Sequence, residues 1–277
     1  MKVSEITSCY IGPEISPEQF IAEHFFLYIA NGKIHGYDGH RSSTLSAGEY
    51  CLVRKNHLAR YNKEKVNDEF EKVVIILDET FLRLYQHKHQ PEFKVSKPEA
   101  AFIALKYEIA IPDFIDSLMP YYDRGGRIEQ QVADEKREEL LKLLLRIRPD
   151  LANTLFDFGK PEKIDLEAFM NRNYKFNASI ERFAYLTGRS RSAFKRDFRD
   201  LFQDTPNRWL VRKRLKEAYF LITKKRQKPS AFYLELGFED LSHFSYAFKK
   251  TFGLTATALL ITKYPDHALH NNSAPMA

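Results

Sequence analysis

The chain has 277 residues, of which 44% are hydrophobic and 29% charged, so it is neither a mini-protein nor a globally disordered chain. Its formal net charge is +6 at pH 7. The longest clean apolar run, 25–30, is six residues long, far short of the roughly 20 residues that cross a membrane. The first ten residues lack the basic start and apolar core of a signal peptide. We therefore expect a cytoplasmic protein that does not enter membranes.

Charge is distributed unevenly along the chain. Residues 160–264 contain 22 Lys and Arg against 11 Asp and Glu, a net charge of +11. The rest of the chain carries 21 basic and 26 acidic residues, a net charge of −5. A basic C-terminal third indicates binding to a polyanion, although charge alone is equally consistent with a solvated basic surface.

The first elements in the chain are short strands between residues 20 and 78. A buried-strand run, FFLYIA, precedes Asn31-Gly32, a pair that tolerates positive φ and predicts a β-hairpin. Further apolar runs, separated by a turn at 46–49, predict a sandwich or a small barrel. The aromatic residues of this segment are compatible with a ligand pocket and with plain core. Asp78 is a candidate N-cap for the helix that follows.

From about residue 111 the pattern becomes helical. The stretch 128–147 carries a broad apolar face that could be intramolecular core or a dimer seam, and we favour a contribution to self-association. The face consists of Leu140, Leu141, Leu144, Leu145 and Ile147. Gly, Pro and charged residues at 158–163 indicate a linker. We therefore expect a first domain over 1–158, an all-helical domain over 165–264 and a disordered tail over 265–277.

An internal repeat with an offset of 50 residues is the main signal in the sequence. RSRSAFKRDFRDLFQDTP (189–206) matches EDLSHFSYAFKKTFGLTA (239–256), and Ser190 and Asp240 are candidate helix N-caps. Each copy has phenylalanines at i, i+4 and i+8, which indicates a helix face buried in a core. These stripes are Phe194, Phe198 and Phe202 in the first copy and Phe244, Phe248 and Phe252 in the second. A shorter apolar helix ending near a glycine precedes each copy, so each predicts a helix-turn-helix motif.

The outward faces of the two repeated helices indicate DNA binding. An α-helix fits the major groove, where polar side chains bond base edges or phosphates. We expect Lys195 and Arg196 to bond guanine O6 and N7, and Arg199, one turn further, to reach phosphate. One such face could be plain solvated surface, but two matched faces in a basic segment favour binding. The candidate DNA-binding residues are Ser192, Lys195, Arg196 and Arg199 in the first motif and Ser242, His243, Tyr246 and Lys249 in the second.

These residues resemble the AraC/XylS family of bacterial transcription regulators. The likeness is close over 165–264, where WLVRKRLKEAYFLI places Arg214-Leu215 and Ala218 at the family's R-L-x-x-A segment of the central helix. The second motif matches the family's most specific stretch at Gly237, Phe238, Ser242, Phe244, Phe248, Lys249, Phe252, Gly253 and Thr255. A weaker likeness upstream, through KIHGYDG and LSAGEY, resembles the cupin-like domain of many members. The resemblance implies an α+β fold: a cupin-like β-barrel with dimerisation helices, then two helix-turn-helix motifs joined by a central helix.

The resemblance also implies a function. The chain is expected to be a sequence-specific transcription regulator, in keeping with an activator, that reads two adjacent major grooves of double-stranded DNA. Its N-terminal domain would receive a small-molecule or protein signal. RNA polymerase and a second copy of the chain are the other implied partners, and neither a cofactor nor an enzymatic activity is implied.

Several positions depart from the family's pattern. Gln203 stands where the repeat has Gly253, at a helix end where a non-glycine residue in the left-handed region costs about 1 kcal/mol, so this turn could differ from its counterpart. The other departures are Ala256 for a proline, Tyr233 for a small residue, and Leu241 and Tyr246 for residues expected to contact bases. We therefore expect the first motif to carry most of the polar readout.

Two other functions remain open: a cupin-type metal-dependent enzyme fused to a helical domain, and a protein-interaction module with a degenerate DNA-binding region. The His-x-His at 87–89 falls at the end of a predicted helix, and His35 and His40 lie near a hairpin, so neither forms a convincing metal-ligand set. Two distant cysteines, Cys9 and Cys51, make no redox or metal motif. We therefore predict no metal site and no catalytic residues.

Overall fold

The chain divides into two compact units, Met1–Lys160 and Pro161–Ala277, called here the N-terminal unit and the C-terminal unit. The computed structural model describes residues 6–11 (backbone), 19–94, 100–121 and 128–265. The boundary between the units falls within 158–163, where the sequence predicts a linker. The tail predicted to be disordered lies, from residue 266 onward, outside the described residues.

The described part of the N-terminal unit contains three β-sheets. The larger sheet has the strand order β1-β9-β3-β6-β10, and smaller sheets have the orders β5-β4-β8 and β2-β7. β1 runs parallel to β9, whereas the other ladders are antiparallel. The strands are β1 (Ile6–Ile11), β2 (Phe20–Ile21), β3 (His24–Asn31), β4 (Lys33–Tyr37), β5 (Ser42–Ser46), β6 (Tyr50–Val53), β7 (His57–Leu58), β8 (Arg60–Glu64), β9 (Phe70–Leu77) and β10 (Phe102–Ala104).

Both faces of the larger sheet are buried, which explains the continuous apolar runs of its inner strands. Successive side chains of a strand point to opposite faces, so a strand covered on one side alone would alternate between apolar and polar residues. Phe26 and Ile75 face a core shared with the helices of this unit. Phe25 and Val74 face a second core, to which the three-stranded sheet β5-β4-β8 contributes Ile34.

The three-stranded sheet β5-β4-β8 packs on the larger sheet and shares a core with it, but its strands do not pair with the described strands of the larger sheet. Among the described strands no hydrogen-bonded ladder links β5-β4-β8 to the larger sheet, so the predicted cupin-like barrel is not closed there. The arrangement is the sandwich that the short strands also predicted. Phe20, Phe25, Phe26 and Tyr50 are at most 5% exposed and lie in the core of the unit, and Tyr61 is 37% exposed.

The hairpin predicted at Asn31-Gly32 was wrong. β3 ends at Asn31 and pairs with β6 and β9, whereas β4 pairs with β5 and β8, so the chain changes sheets at this corner. Gly32 has φ +83°, and a Cβ atom there would lie 2.6 Å from the carbonyl oxygen of Glu64. The hairpin instead joins β4 to β5, where the Asp38 carboxylate accepts the backbone N–H groups of His40 and Arg41.

The described part of the N-terminal unit also contains four α-helices. They are α1 (Glu79–His89), α2 (Ala110–Asp116), α3 (Gln130–Ile147) and α4 (Ala152–Leu155). The N-cap prediction for α1 is confirmed, since the side chain of Asp78 accepts the backbone N–H of Phe81 at 3.0 Å. In α3, Leu140, Leu141 and Leu144 are at most 1% exposed within this unit's own core. The dimer-seam interpretation is therefore wrong for these leucines.

The described part of the C-terminal unit is helical. Its helices are α5 (Leu166–Asn173), α6 (Ile180–Leu186), α7 (Arg191–Phe202), α8 (Pro206–Lys225), α9 (Pro229–Phe232), α10 (Leu241–Phe252) and α11 (Ala256–Lys263). The predicted N-caps Ser190 and Asp240 are confirmed, with side-chain oxygens 3.2 and 2.6 Å from the backbone nitrogens of Ala193 and His243. Such caps satisfy N–H groups that a helix start otherwise leaves unpaired.

Candidate nucleic-acid interface

Two helix-turn-helix motifs, α6–α7 and α9–α10, repeat at the offset seen in the sequence. α7 spans Arg191–Phe202 and α10 spans Leu241–Phe252, so the helices start and end at equivalent residues. Each ends at a residue in the left-handed region, Gln203 or Gly253. The predicted repeat is confirmed at the level of single elements.

The phenylalanine stripes anchor α7 and α10 by one face. Phe194, Phe198, Phe244 and Phe248 are 0% exposed, and the last phenylalanine of each stripe is partly buried. The first stripe closes on Trp209 of α8, with ring centroids of Phe198 and Trp209 5.6 Å apart. The second closes on Phe232 and Phe238, whose rings lie 5.9 and 5.1 Å from that of Phe244. Since one face of each helix is fixed in a core, the opposite face is held toward solvent.

The first helices of the two motifs differ in length. α6 has seven residues, whereas α9 has four and is followed by a turn that runs to Gly237. The short helix predicted to end near the glycine of the second motif therefore ends earlier, at Phe232. Tyr233, at the end of α9, is partly buried against the core of the second motif. The larger side chain at this position thus coincides with a first helix that is shorter than its counterpart α6.

Arg214 of α8 connects both motifs from inside. Its side chain donates hydrogen bonds to the carbonyl oxygens of Tyr174 (2.7 Å), Phe176 (2.8 Å) and Gly237 (2.9 Å). The first two carbonyls precede α6, and the third lies in the turn of the second motif. Burial lowers the pKa of Arg214 to about 10, so the guanidinium remains charged at neutral pH. One side chain therefore ties the segment that leads into the first motif, and the turn of the second motif, to the central helix.

The glycine of the second motif is required by this contact. Gly237 has φ +81°, a backbone conformation that residues with a side chain rarely adopt. A Cβ atom there would lie 2.7 Å from the carbonyl oxygen of Lys175 and 2.9 Å from Cζ of Arg214. Sequence reasoning located Arg214 and Gly237 only through the family pattern, since no spacing rule connects a side chain to carbonyls 23 to 40 residues away.

The four predicted residues of α7 share its exposed face. Ser192, Lys195, Arg196 and Arg199 are all exposed. In the part of the chain that the structure describes, neither Lys195 nor Arg199 forms an ion pair. Arg196, whose side chain is 72% exposed, lies 3.1 Å from the carboxylate of Asp197.

The carboxylate of Asp197 keeps a second cationic partner when the side chain of Arg196 turns away. Arg189 donates a hydrogen bond to the other oxygen of Asp197 at 3.1 Å and is the main cause of the lowered pKa of that carboxyl group. The Arg189 side chain is itself only 8% exposed and also donates to the carbonyl oxygens of Ile164 and Thr187. Arg189 is therefore structural, and Arg196 is free to turn toward a ligand.

The four predicted residues of α10 are also exposed. They are Ser242, His243, Tyr246 and Lys249. Tyr246 is 68% exposed, and Leu241, the first residue of the helix, is 40% exposed. The ring of His243 lies 5.7 Å from that of Phe238. The exposed residues of α10 thus include two large apolar side chains beside polar ones, whereas most of the exposed residues of α7 named above are cations.

Two of the histidines weighed as metal ligands, His35 and His89, bond other side chains. His35 bonds Thr44 and Glu64 at 3.0 and 2.9 Å, and His89 bonds Glu138 at 3.1 Å. Within the described ranges, no group of three or more His, Cys, Asp or Glu side chains is placed to hold a metal ion. No helix in those ranges is both long enough and apolar enough to span a bilayer.

Two family models match the chain, one in each unit. Residues 24–154 match the ExsA N-terminal regulatory domain. Residues 183–260 match a helix-turn-helix domain and include both motifs described above. The order of the two matches is the order of the two units.

Several known proteins are similar to the chain over part of its length. The virulence regulon transcriptional activator VirF of Yersinia enterocolitica is 27% identical over 135 residues, 48% of this chain and 50% of that protein. The thermoregulatory protein LcrF of Yersinia pestis is 26% identical over 127 residues, 44% of this chain and 47% of that protein. The chain thus spans about half the length of the curated relatives it matches.

Solved structures are similar either to most of the chain or to its C-terminal part. Apo ToxT K231A from Vibrio cholerae aligns with 88% of this chain and 90% of its own, at 16% identity and a TM-score of 0.43. The DNA-binding domain of AdpA, solved with a target DNA, aligns with 39% of this chain and 95% of its own, at 20% identity and a TM-score of 0.33. The two family matches and the repeated motifs give the chain the domain arrangement of an AraC-family transcription regulator, an N-terminal regulatory domain followed by a C-terminal helix-turn-helix domain.

Proposed function

We propose that this chain is a sequence-specific transcription activator that reads double-stranded DNA with α7 and α10. The repetition carries the proposal: two matched motifs each hold one helix by a buried phenylalanine stripe and present its other face to solvent. They lie in a segment with a net charge of +11, which suits a polyanion. The family matches indicate a regulator and not an enzyme.

In the first motif, α7 is assigned to base readout and phosphate binding. Ser192, Lys195 and Arg196 lie in the N-terminal half of α7, the part of a recognition helix that meets base edges. Lys195 and Arg196 suit guanine, which offers O6 and N7 as acceptors. Arg199 lies a turn further along and is assigned to phosphate.

In the second motif, α10 takes the equivalent position. Ser242, His243 and Tyr246 lie in its N-terminal half and are assigned to the base edges, and Lys249 is assigned to phosphate. The two helices would enter successive major grooves, roughly 34 Å apart, on one face of B-DNA. A monomer would then need no palindromic site. The hydrogen bonds of Arg214 to both motifs support a fixed relation between them.

DNA selection followed by salt titration tests this function. The full-length chain is used to enrich duplexes from a random library, and the affinity for the enriched duplex is measured at several salt concentrations. We expect strong enrichment and a steep loss of affinity with salt, because phosphate binding releases counterions. Arg146→Ala, which removes an exposed cation of the N-terminal unit, should leave both results unchanged. Binding that is equal for enriched and random duplexes would contradict the proposal.

The N-terminal unit is proposed to receive a small-molecule or protein signal. An open groove of about 530 Å³ lies between α1 and α3, within the size range of small-molecule sites. It combines apolar side chains, Phe81 and Leu84, with charged ones, Arg137 and Glu138. Thermal denaturation against a panel of metabolites, with Leu84→Asp as the comparison, tests this site. A compound that stabilises the wild type and the variant equally would place the signal elsewhere.

A homodimer is also proposed, through a surface other than the α3 leucines. Tyr107, Ile109 and Met119 flank α2 and are 69%, 60% and 62% exposed, and a partner that covered them would remove this apolar surface from water. We expect sedimentation to show a dimer for the wild type and a monomer for Ile109→Glu. A monomeric wild type would contradict the assignment.

Activation is proposed to act through RNA polymerase in the cytoplasm. The name of VirF describes a transcriptional activator, and the repeat supports DNA binding by this chain. Transcription in vitro from a template that carries the selected duplex tests this step. Added protein should increase transcript from that template and leave a scrambled template unchanged, whereas a decrease would indicate a repressor.

A further inference from the structure

The exposed faces of α7 and α10 differ in chemistry at equivalent positions. At the repeat offset of 50, Arg196 corresponds to Tyr246 and Arg191 to Leu241. Two of the four exposed cationic positions of α7 are therefore occupied by large apolar side chains in α10. Tyr246 is 68% exposed and Leu241 is 40% exposed, although most large apolar side chains of this unit are buried.

These side chains are not needed to fold the second motif. The core of that motif is formed by Phe244, Phe248 and the residues around them, and it includes neither Leu241 nor Tyr246. Leu241 is the first residue of α10, and Tyr246 lies on the same face as Ser242. Both occupy the N-terminal half of the helix, which is assigned above to the base edges.

One feature of the major groove suits an apolar side chain. Guanine, cytosine and adenine present donors and acceptors there, whereas thymine also presents its C5-methyl group. A tyrosine ring or a leucine side chain that covers this methyl group stabilises the complex, because apolar surface is removed from water. Neither side chain can replace the two hydrogen bonds that arginine donates to guanine. Lys249 and Lys250 lie toward the C-terminal end of the same helix and can bind the flanking phosphates.

We infer that the second motif recognises thymine methyl groups through Tyr246 and Leu241. This inference rests on the proposed DNA-binding function and adds the chemical class of bases that the second motif selects. The complete target then has two unlike halves: guanine contacts under α7 and thymine-bearing steps under α10. Ser242 and His243 supply polar contacts beside the apolar ones.

Thymine-to-uracil replacement tests this inference, because it removes the methyl group and keeps base pairing. The probe is the duplex enriched from a random library by the full-length chain. Each thymine is replaced singly by uracil, and binding is measured for the wild type, Tyr246→Ala and Leu241→Ala. We expect one or two thymines whose replacement weakens wild-type binding about fourfold each, the effect of one buried methyl group. At those thymines Tyr246→Ala or Leu241→Ala should bind both duplexes equally.

Matched variants separate the ring from other effects. Tyr246→Phe keeps the ring and should keep the discrimination between thymine and uracil. Tyr246→Arg gives α10 the side chain of the first motif and should lose that discrimination. Lys249→Ala should weaken binding to the thymine and uracil duplexes by the same factor, because phosphates carry no sequence information.

The outcomes distinguish this inference from the proposed function. An enriched duplex in which no thymine methyl couples to Tyr246 or Leu241 overturns the inference and leaves the proposed function standing. Folded Tyr246→Ala and Leu241→Ala variants that bind the enriched duplex as tightly as the wild type would show that these side chains do not contact the bases, and this also overturns the inference. If no duplex is enriched at all, the proposed function fails first.

Discussion

The two helix-turn-helix motifs share an interior and differ on the outside. Their second helices have the same length, equivalent N-caps and phenylalanines at equivalent buried positions. Their exposed faces differ, since Arg191 and Arg196 of α7 correspond to Leu241 and Tyr246 of α10. Only the interior must be kept for the helix to sit on its core, so the exposed positions are available for a different base preference.

Substitutions at the central phenylalanine of each stripe test whether the two interiors are equivalent. Phe198→Ala and Phe248→Ala each remove a ring that is 0% exposed, and each should lower the free energy of unfolding by roughly 3–5 kcal/mol. Urea denaturation of the full-length chain measures both. Phe198→Leu, which keeps most of the volume, should cost less. A loss below about 1 kcal/mol for either alanine variant would contradict an equally buried stripe.

Arg214 should affect both motifs together. Arg214→Ala removes the guanidinium donor from the carbonyl oxygens of Tyr174, Phe176 and Gly237, and we expect a loss of about 3 kcal/mol in unfolding free energy. The carbonyl oxygen of Phe176 keeps the backbone N–H of Ala178 as a donor. Hydrogen exchange should rise in both motifs. Arg214→Lys supplies a charge without the fork geometry and should recover part of the loss. Exchange that rises in one motif alone would show that Arg214 does not tie them together.

The phosphate contacts should be alike in the two motifs. Arg199→Ala and Lys249→Ala should each weaken binding to enriched and random duplexes by the same factor and lower the salt slope by about one unit. Fluorescence anisotropy at several salt concentrations provides the slopes. A change of sequence preference in either variant would move that residue from the phosphates to the bases.

The helix ends provide the smallest difference. Gln203 has φ 52° and Gly253 has φ 79°, so the two turns adopt the same left-handed cap, and the side chain of Gln203 also donates to the carbonyl oxygen of Asp200. Gly253→Ala meets no atom within 4 Å and should cost about 1 kcal/mol through its backbone alone. Gln203→Gly should stabilise by at most the same amount. Thermal denaturation compares them, and stabilisation by Gly253→Ala would contradict this reasoning.

Local signals in the sequence predicted the C-terminal unit well. The offset of 50, the phenylalanine spacing and the caps Ser190 and Asp240 follow from helix geometry, which involves neighbours a few residues apart. The shortness of α9 did not follow, because the residues after Tyr233 keep an apolar pattern while the chain turns. The three acceptors of Arg214 lie far away in sequence, so no spacing could show them.

In the N-terminal unit the same kind of signal misled at two places. Asn31-Gly32 correctly marks a sharp turn, but a turn does not determine which strands pair across it. The apolar face of α3 was evident from its spacing, yet amphipathicity does not state which surface covers the face. Leu140 and Leu144 are covered by the unit's own sheet and helices.

The affinity of Arg196→Ala for enriched and random duplexes tests most directly whether α7 reads bases. The side chain is 72% exposed and its one ion-pair partner in the described chain, Asp197, is held independently by Arg189, so the variant should fold normally. We predict a loss of roughly 1–3 kcal/mol for the enriched duplex, a relaxed preference at one base pair and a much smaller change for random DNA. If a folded Arg196→Ala variant bound both duplexes with wild-type affinity, the assignment of α7 to base readout would be contradicted.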